Sequence, residues 1–163
     1  MVRRAEIRES SRLDAPPPAV WARVTSAEGI NDEMAPLLRM TVPRGLGSLD
    51  LERIEPGRLG RSWILLFGVL PFDYDDLGLE RIEPGRGFLE RSTMLSQRLW
   101  EHERTIEPLA GGGCTVADRV AWEPRPPLPG GLLRPLIAAF FRHRHRRLRR
   151  HFERAGGGHG GNG

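Results

Sequence analysis

Between Leu132 and Arg154 the apolar residues fall at Leu133, Leu136, Ile137, Phe140, Phe141, Leu148 and Phe152. Steps of three, one and four keep them on one side of a 3.6-residue repeat, so the spacing predicts one long amphipathic helix. Arg144 falls inside the apolar stripe, whereas Arg142, Arg146, Arg149 and Arg150 turn outward. Ahead of this helix the pattern changes to alternation and short apolar runs, the mark of strands. Val2–Leu13 reads as a first strand, broken by Asp14-Ala-Pro-Pro-Pro. Two short helices follow, Ala19–Thr25 and Ser26–Glu33, the second capped by Ser26. Leu37–Val42 resumes extended structure, and Arg61–Leu70 is almost continuously apolar, as a central strand is, with Pro71 ending it. Arg98–Pro108 and Thr115–Glu123 alternate again, joined by a turn at Gly111-Gly-Gly-Cys.

An octapeptide, LERIEPGR, occurs twice, at 51–58 and 79–86. Pro-Gly between strand-forming residues is the mark of a type II turn, with proline second and glycine third. The second copy predicts a hairpin joining Asp73–Ile82 to Gly87–Ser96, and the first is expected in a longer loop. Two copies are too few for a repeat architecture. The expected fold is α+β: a curved antiparallel sheet of about six to seven strands, two short helices after the first strand, and a long helix closing it. One long helix laid over such a sheet tends to enclose a cavity.

Composition narrows the setting. The chain of 163 residues is long enough for a single core. No run approaches a membrane span of about 20 apolar residues, and the N-terminus lacks the apolar core of a secretion signal, so a cytoplasmic location is expected. One cysteine, Cys114, permits no internal disulfide. All 25 basic residues are arginine, and their placement is uneven. Residues 1–126 hold 17 Arg against 20 acids, while 127–163 hold 8 Arg against one. The basic character therefore belongs to the last helix. Residues 1–155 read as one domain, and the Gly-rich 156–163 as a flexible tail.

Side chains two apart on a strand share a face. Trp100, His102, Arg104 and Ile106 thus project together, as do Val116, Asp118, Val120 and Trp122 on the neighbouring strand. Asp118 is placed to reach His102 or Arg104, and a buried cation needs such a partner. Arg144 raises the same need, with Glu90, on the Phe88 face, as its expected answer. No GxSxG-type elbow is present, and His102 has no nucleophile beside it, which argues against a hydrolase triad. His143, His145 and His151 are spaced for a helical metal site, but the surrounding arginines oppose a cation, so no metal is expected.

The order of elements, with APPPAVWARVTSAEGI near the start, LLFGVLPFDYDD in the middle, and the W-x-H-x-R of Trp100, His102 and Arg104, resembles the START-like or Bet v 1-like superfamily, also called SRPBCC or polyketide cyclase/lipid-transport. GGCTVADRV at 112–120 and F-x-x-R-x-x-x-L at Phe141, Arg144 and Leu148 complete the likeness, which spans residues 3–153. The resemblance implies a helix-grip fold with a hydrophobic ligand cavity between sheet and helix, and it does not choose one activity. Trp63, Phe67, Phe72, Tyr74, Phe88, Trp100, Trp122, Phe140 and Phe141 would line that cavity. Glu90, His102, Arg104, Asp118 and Arg144 would orient the ligand, and the segment Leu70–Asp76 would gate it. The expected partner is a small hydrophobic molecule such as a lipid, polyketide or aromatic metabolite, and no cofactor is implied. An alternative is a cyclase or dehydratase using His102, next to Asp118, as acid or base. Another is an anionic membrane surface met by the C-terminal arginines. Nucleic acid is disfavoured, since no aromatic stacking motif accompanies the arginines.

Overall fold

The computed structural model describes residues 4–46, 54–126 and 130–157. In chain order the elements are β1 (Ala5–Leu13), α1 (Pro17–Val24), α2 (Ala27–Met34), β2 (Leu38–Met40), β3 (Gly57–Leu66), β4 (Leu70–Glu83), β5 (Gly87–Met94), β6 (Gln97–Pro108), β7 (Cys114–Pro124) and α3 (Gly130–Gly157). The strands form one antiparallel sheet in the order β1-β7-β6-β5-β4-β3-β2. Consecutive strands are neighbours from β2 to β7, and only β1 crosses over to close beside β7. The curled sheet grips α3, the expected α+β helix-grip arrangement.

Local chemistry explains most of the boundaries. Pro17 and Pro18 occupy the first turn of α1, where a missing N–H leaves no bond unmade. Ser26 caps α2, its hydroxyl accepting from the Gly29 N–H at 3.0 Å. The second octapeptide makes the expected type II turn. Gly85 takes φ +75°, and the Arg86 N–H donates to the Glu83 carbonyl at 2.9 Å. The first copy behaves differently: its Gly57 opens β3, and 51–53 lie outside the described residues. Neighbouring strands, not the eight residues themselves, decide which copy turns.

RSWILLFGVL is not one strand. β3 ends at Leu66, and Phe67-Gly68-Val69 turn the chain back, with Phe67 at φ 52° and Gly68 at φ 77°. Pro71 therefore lies near the start of β4 instead of ending a strand. The turn was hidden because its first left-handed position holds phenylalanine, a residue that seldom goes there. Nor is β3 central: only the three-residue β2 separates it from the sheet edge. Val2 falls outside the described residues. α3 runs on through Gly156 and Gly157, and the rest of the expected tail is likewise outside them.

The core has two centres. Ile7, Val120, Trp122 and Phe141 pack under the first half of α3. Val20, Trp21, Val24, Ile106, Val116 and Leu148 pack under its second half, against α1. Among the described residues no helix is long and apolar enough to cross a membrane.

Two glycines differ in what a side chain would meet. At Gly113 (φ +75°) a Cβ would collide with the Leu13 carbonyl oxygen, whereas at Gly85 nothing lies within 4 Å. Both alanine variants carry the left-handed penalty of about 1–2 kcal/mol, and only Gly113→Ala adds a backbone collision. Urea denaturation should therefore show Gly113→Ala as clearly the less stable of the two.

Candidate ligand cavity

The two short helices and the first half of α3 do not fill the space over strands β2 to β6. They leave a hollow of about 640 Å³. Its walls are mostly aliphatic: Met34 from α2, Leu59 and Ile64 from β3, Leu77 and Leu79 from β4, Met94 from β5, and Ile137 from α3. Phe72 and Leu136 border it while remaining 60% and 67% exposed, which places a mouth between the start of β4 and the start of α3.

A buried ion cluster stands behind one wall. Arg104 is fully buried and forks between two carboxylates. Its Nε and Nη2 donate to Asp118 at 2.7 Å each, and its Nη1 and Nη2 donate to Glu33 at 2.8 and 2.9 Å. Arg144 donates to the same Glu33 from Nε at 3.2 Å, with Nη2 at 3.0 Å. Asp118 also meets His102 Nε2 and His145 Nε2, each at 2.9 Å, and the far nitrogen of His145 meets Ser11 Oγ at 2.9 Å. Two carboxylates and two guanidiniums balance, which makes burial of all four tolerable.

The protonation states follow from these contacts. Burial pushes the Asp118 carboxyl upward, but Arg104 and His102 outweigh it and hold it well below its ordinary value of 3.8. Glu33 is likewise lowered, with Arg104 and Arg144 overcoming its burial. For His102 burial favours the neutral ring, yet Asp118 prevails and raises it above its ordinary 6.5.

A different situation holds at Asp75. Burial first, then the charge and hydrogen bonding of Glu90, push its carboxyl well above the ordinary range. Glu90 accepts from Ser92 Oγ at 2.9 Å and lies 3.7 Å from His102 Nδ1.

Of the residues singled out in the sequence, Phe72, Phe88, Glu90, Trp100, His102, Phe140, Phe141 and Arg144 border the hollow. Six do not. Trp63 and Tyr74 pair across β3 and β4 on the outer face, ring centroids 5.9 Å apart, with Arg61 3.9 Å from the Tyr74 ring centre. They alternate with the inward Ser62, Ile64, Asp73 and Asp75, so the two-residue period turns them away. Phe67, 63% exposed, sits on the β3–β4 turn. Trp122 is consumed by the core beneath α3. Arg104 and Asp118 lie behind the wall, each saturated by the other and their neighbours. The expected Arg144–Glu90 pair is also corrected, because α2 brings Glu33 to Arg144 and Glu90 turns to Ser92 and His102.

Glu33, Asp75, Gln97 and His145 were missed. His145 had a signal: it falls four residues after Phe141 and three before Leu148, on the buried stripe. The three histidines of α3 do not converge. His143 meets the Ala35 carbonyl at 2.7 Å and His151 stacks on Phe152. Among the described residues no group of three or more His, Cys, Asp or Glu is arranged to hold a metal. Cys114 is buried, and burial pushes its thiol upward, away from a nucleophile. Arg147 is tied to Asp32 at 2.7 Å and Arg149 to Ser11 at 2.8 Å, leaving Arg142, Arg146, Arg150 and Arg154 exposed on α3.

Comparison with known proteins sets this geometry in context. A family model described as "Domain of unknown function (DUF8410)" matches residues 11–152. The chain belongs to this family. Among curated proteins nothing matches. Solved structures do match in fold. A protein from Chromobacterium violaceum aligns at TM-score 0.70 and 15% identity, over 91% of this chain and 96% of its own. A START superfamily protein from Mycobacterium smegmatis aligns at TM-score 0.69 and 10% identity, over 92% and 98%. The Zhui aromatase/cyclase from Streptomyces sp. R1128 aligns at 0.68 and 10%, over 93% and 95%. This DUF8410 member thus has the START-like, Bet v 1-like fold, and identities this low establish the fold alone.

The ion cluster makes a stability prediction. Asp118→Asn leaves Arg104 and His102 facing a neutral group, a loss of about 3–5 kcal/mol by the usual cost of breaking a buried pair, read by urea denaturation. The pH dependence of the wild type has a definite sign. His102 binds its proton more tightly when folded, so its contribution is complete below pH 6.5 and is lost as pH rises through the raised value. His102→Gln should remove that part of the decline in stability above pH 6.5.

Proposed function

We propose that this protein binds a small, mainly hydrophobic molecule in the hollow between sheet and α3. The observation that carries the reading is unfilled apolar volume beside a few fixed polar groups, the usual make-up of a small-molecule site. Protein interiors normally pack without such gaps, and leaving one costs stability unless something occupies it. A ligand burying about 300 Å² of apolar surface would gain roughly 7 kcal/mol before the cost of association, so micromolar affinity is the natural scale. The fold supports the same reading: START-like and cyclase proteins share this sheet-and-helix frame.

His102 carries a second reading, an enzyme of the cyclase or dehydratase kind. It borders the hollow, is oriented by Asp118, and is biased toward its protonated form, as a general acid requires. Under this reading His102→Ala abolishes turnover and leaves affinity nearly intact, whereas under binding alone there is no turnover to lose.

Native mass spectrometry of protein taken from cell extract should show a co-purifying small molecule, and an apolar dye should be displaced by lipids or aromatic compounds. Met94→Trp, which fills the hollow from β5, should weaken dye binding about tenfold or more without changing the circular dichroism of the sheet. No co-purified mass together with dye binding indifferent to the tryptophan would end the carrier reading.

A further inference from the structure

Buried acids in this protein fall into two groups. Glu33, Asp118 and Glu101 are all matched by arginine: Glu33 and Asp118 by Arg104, and Glu101 by Arg4, Arg91 and Arg119. Asp73, Asp75 and Glu90 are buried too, at 2%, 4% and 9% exposure, yet no arginine bonds to them among the described residues. Asp73 is held by Ser96 and by the Tyr74 N–H, and Glu90 by Ser92 and His102. All three border the hollow. In a chain with 25 arginines, the buried acids without a guanidinium among the described residues are the ones bordering the hollow.

Among the described residues two side-chain oxygens there carry no hydrogen bond. Asp75 Oδ1 and Gln97 Oε1 are buried and unbonded, and both residues line the hollow. They lie at the same end. Asp75 pairs with Met94 across the β4–β5 ladder, and only Leu95 and Ser96 separate Met94 from Gln97. Leaving such groups buried and unpaired is normally costly to stability. Ser62, opposite Asp75 on β3, also has an unbonded hydroxyl. A rotation of that hydroxyl could supply Asp75 with a donor, but a donor is not a countercharge.

We propose that the acidic end of the hollow receives the protonated amine of an otherwise apolar ligand, with Asp75 as its counterion and Gln97 as a second acceptor. This rests on the ligand-binding reading above and names the class of ligand. Among the described residues the hollow's wall carries two basic groups, and both are committed, Arg144 to Glu33 and His102 to Asp118, so a carboxylate ligand would have to compete for either. Among the described residues the three acids do not converge as metal ligands, and an organic cation is the occupant we infer. An ammonium group carries the hydrogen-bond donors both orphaned oxygens need, and the aliphatic walls accept its hydrocarbon.

The groups facing Asp75 define a proton balance. Asp73 lies on its own strand, Glu90 and Ser92 on β5, Ser62 on β3, His102 beyond Glu90 on β6, and Arg144 on α3. Without ligand, burial and the neighbouring Glu90 keep the Asp75 carboxyl protonated beyond the ordinary carboxylate range. An arriving ammonium stabilises the carboxylate, so the carboxyl O–H bond breaks and one proton leaves to solvent. Affinity for the amine should therefore rise with pH until Asp75 ionises unaided, then level off.

The test compares decylamine, decan-1-ol and decanoate by isothermal titration calorimetry, in two buffers of different ionisation enthalpy, at pH 6.5 and 7.5. The expected result is decylamine binding about tenfold or more tighter than decanol, with release of protons and tighter binding at the higher pH. In Asp75→Asn the amine and the alcohol should bind within about twofold of each other, with no proton release. Decanol or decanoate binding as tightly as the amine, or amine binding without proton release in the wild type, overturns the inference and leaves the hydrophobic site standing. Failure of all three to bind overturns both. The preference of the wild type for the amine over the alcohol decides the matter even if the variant does not fold.

Discussion

Arg104 holds the molecule together at the point where its parts meet. One guanidinium on β6 reaches Asp118 on the neighbouring strand and Glu33 on α2, and Glu33 in turn receives Arg144 from α3. Sheet, short helix and long helix are thereby fixed by four charges buried from water. Desolvation makes such a cluster costly to assemble and costlier still to leave half-formed. That asymmetry has a structural consequence. α2 and α3 cannot settle further into the sheet without breaking the arrangement, and the hollow lies between them and the middle strands.

The hollow and the cluster share one wall. His102 touches both, bonded to Asp118 on one side and lying near Glu90 on the other. Its ring also packs edge-on against Phe88 and Phe141, with centroids 5.3 Å away in each case. A polar group so held is pre-organised, and a ligand meeting it need not spend binding energy on ordering it. The opposite end, around Asp75 and Gln97, is different in kind. Among the described residues the acids there lack guanidinium partners and two acceptor atoms are unmet, so the polarity of the hollow is itself asymmetric.

Much of this was legible in the chain. The period of α3, the Ser26 cap and the Pro84-Gly85 turn are local, each governed by residues within a few positions, and the pattern alone located them. That Asp118 could reach His102 or Arg104 followed from a tight turn and the two-residue period of a strand, and the structure joins it to both. The errors were equally physical. Trp63 and Tyr74 have the chemistry of cavity walls, yet alternation turned them to the outer face. Phe67 hid a turn because a left-handed phenylalanine is rare. Glu33 could not be paired with Arg104 or Arg144, since each contact spans more than seventy residues and depends on how α2 docks.

Sequence alone determined the elements, their order and the amphipathic helix that closes the sheet, because hydrophobic period and turn chemistry act over a few residues. It also determined that buried charges must be matched. Only the tertiary structure decided which acid meets which arginine, which aromatic faces inward, and that Asp75 meets no cation among the described residues. Those outcomes depend on the curl of seven strands and on where two helices come to rest, and no short-range rule contains that geometry.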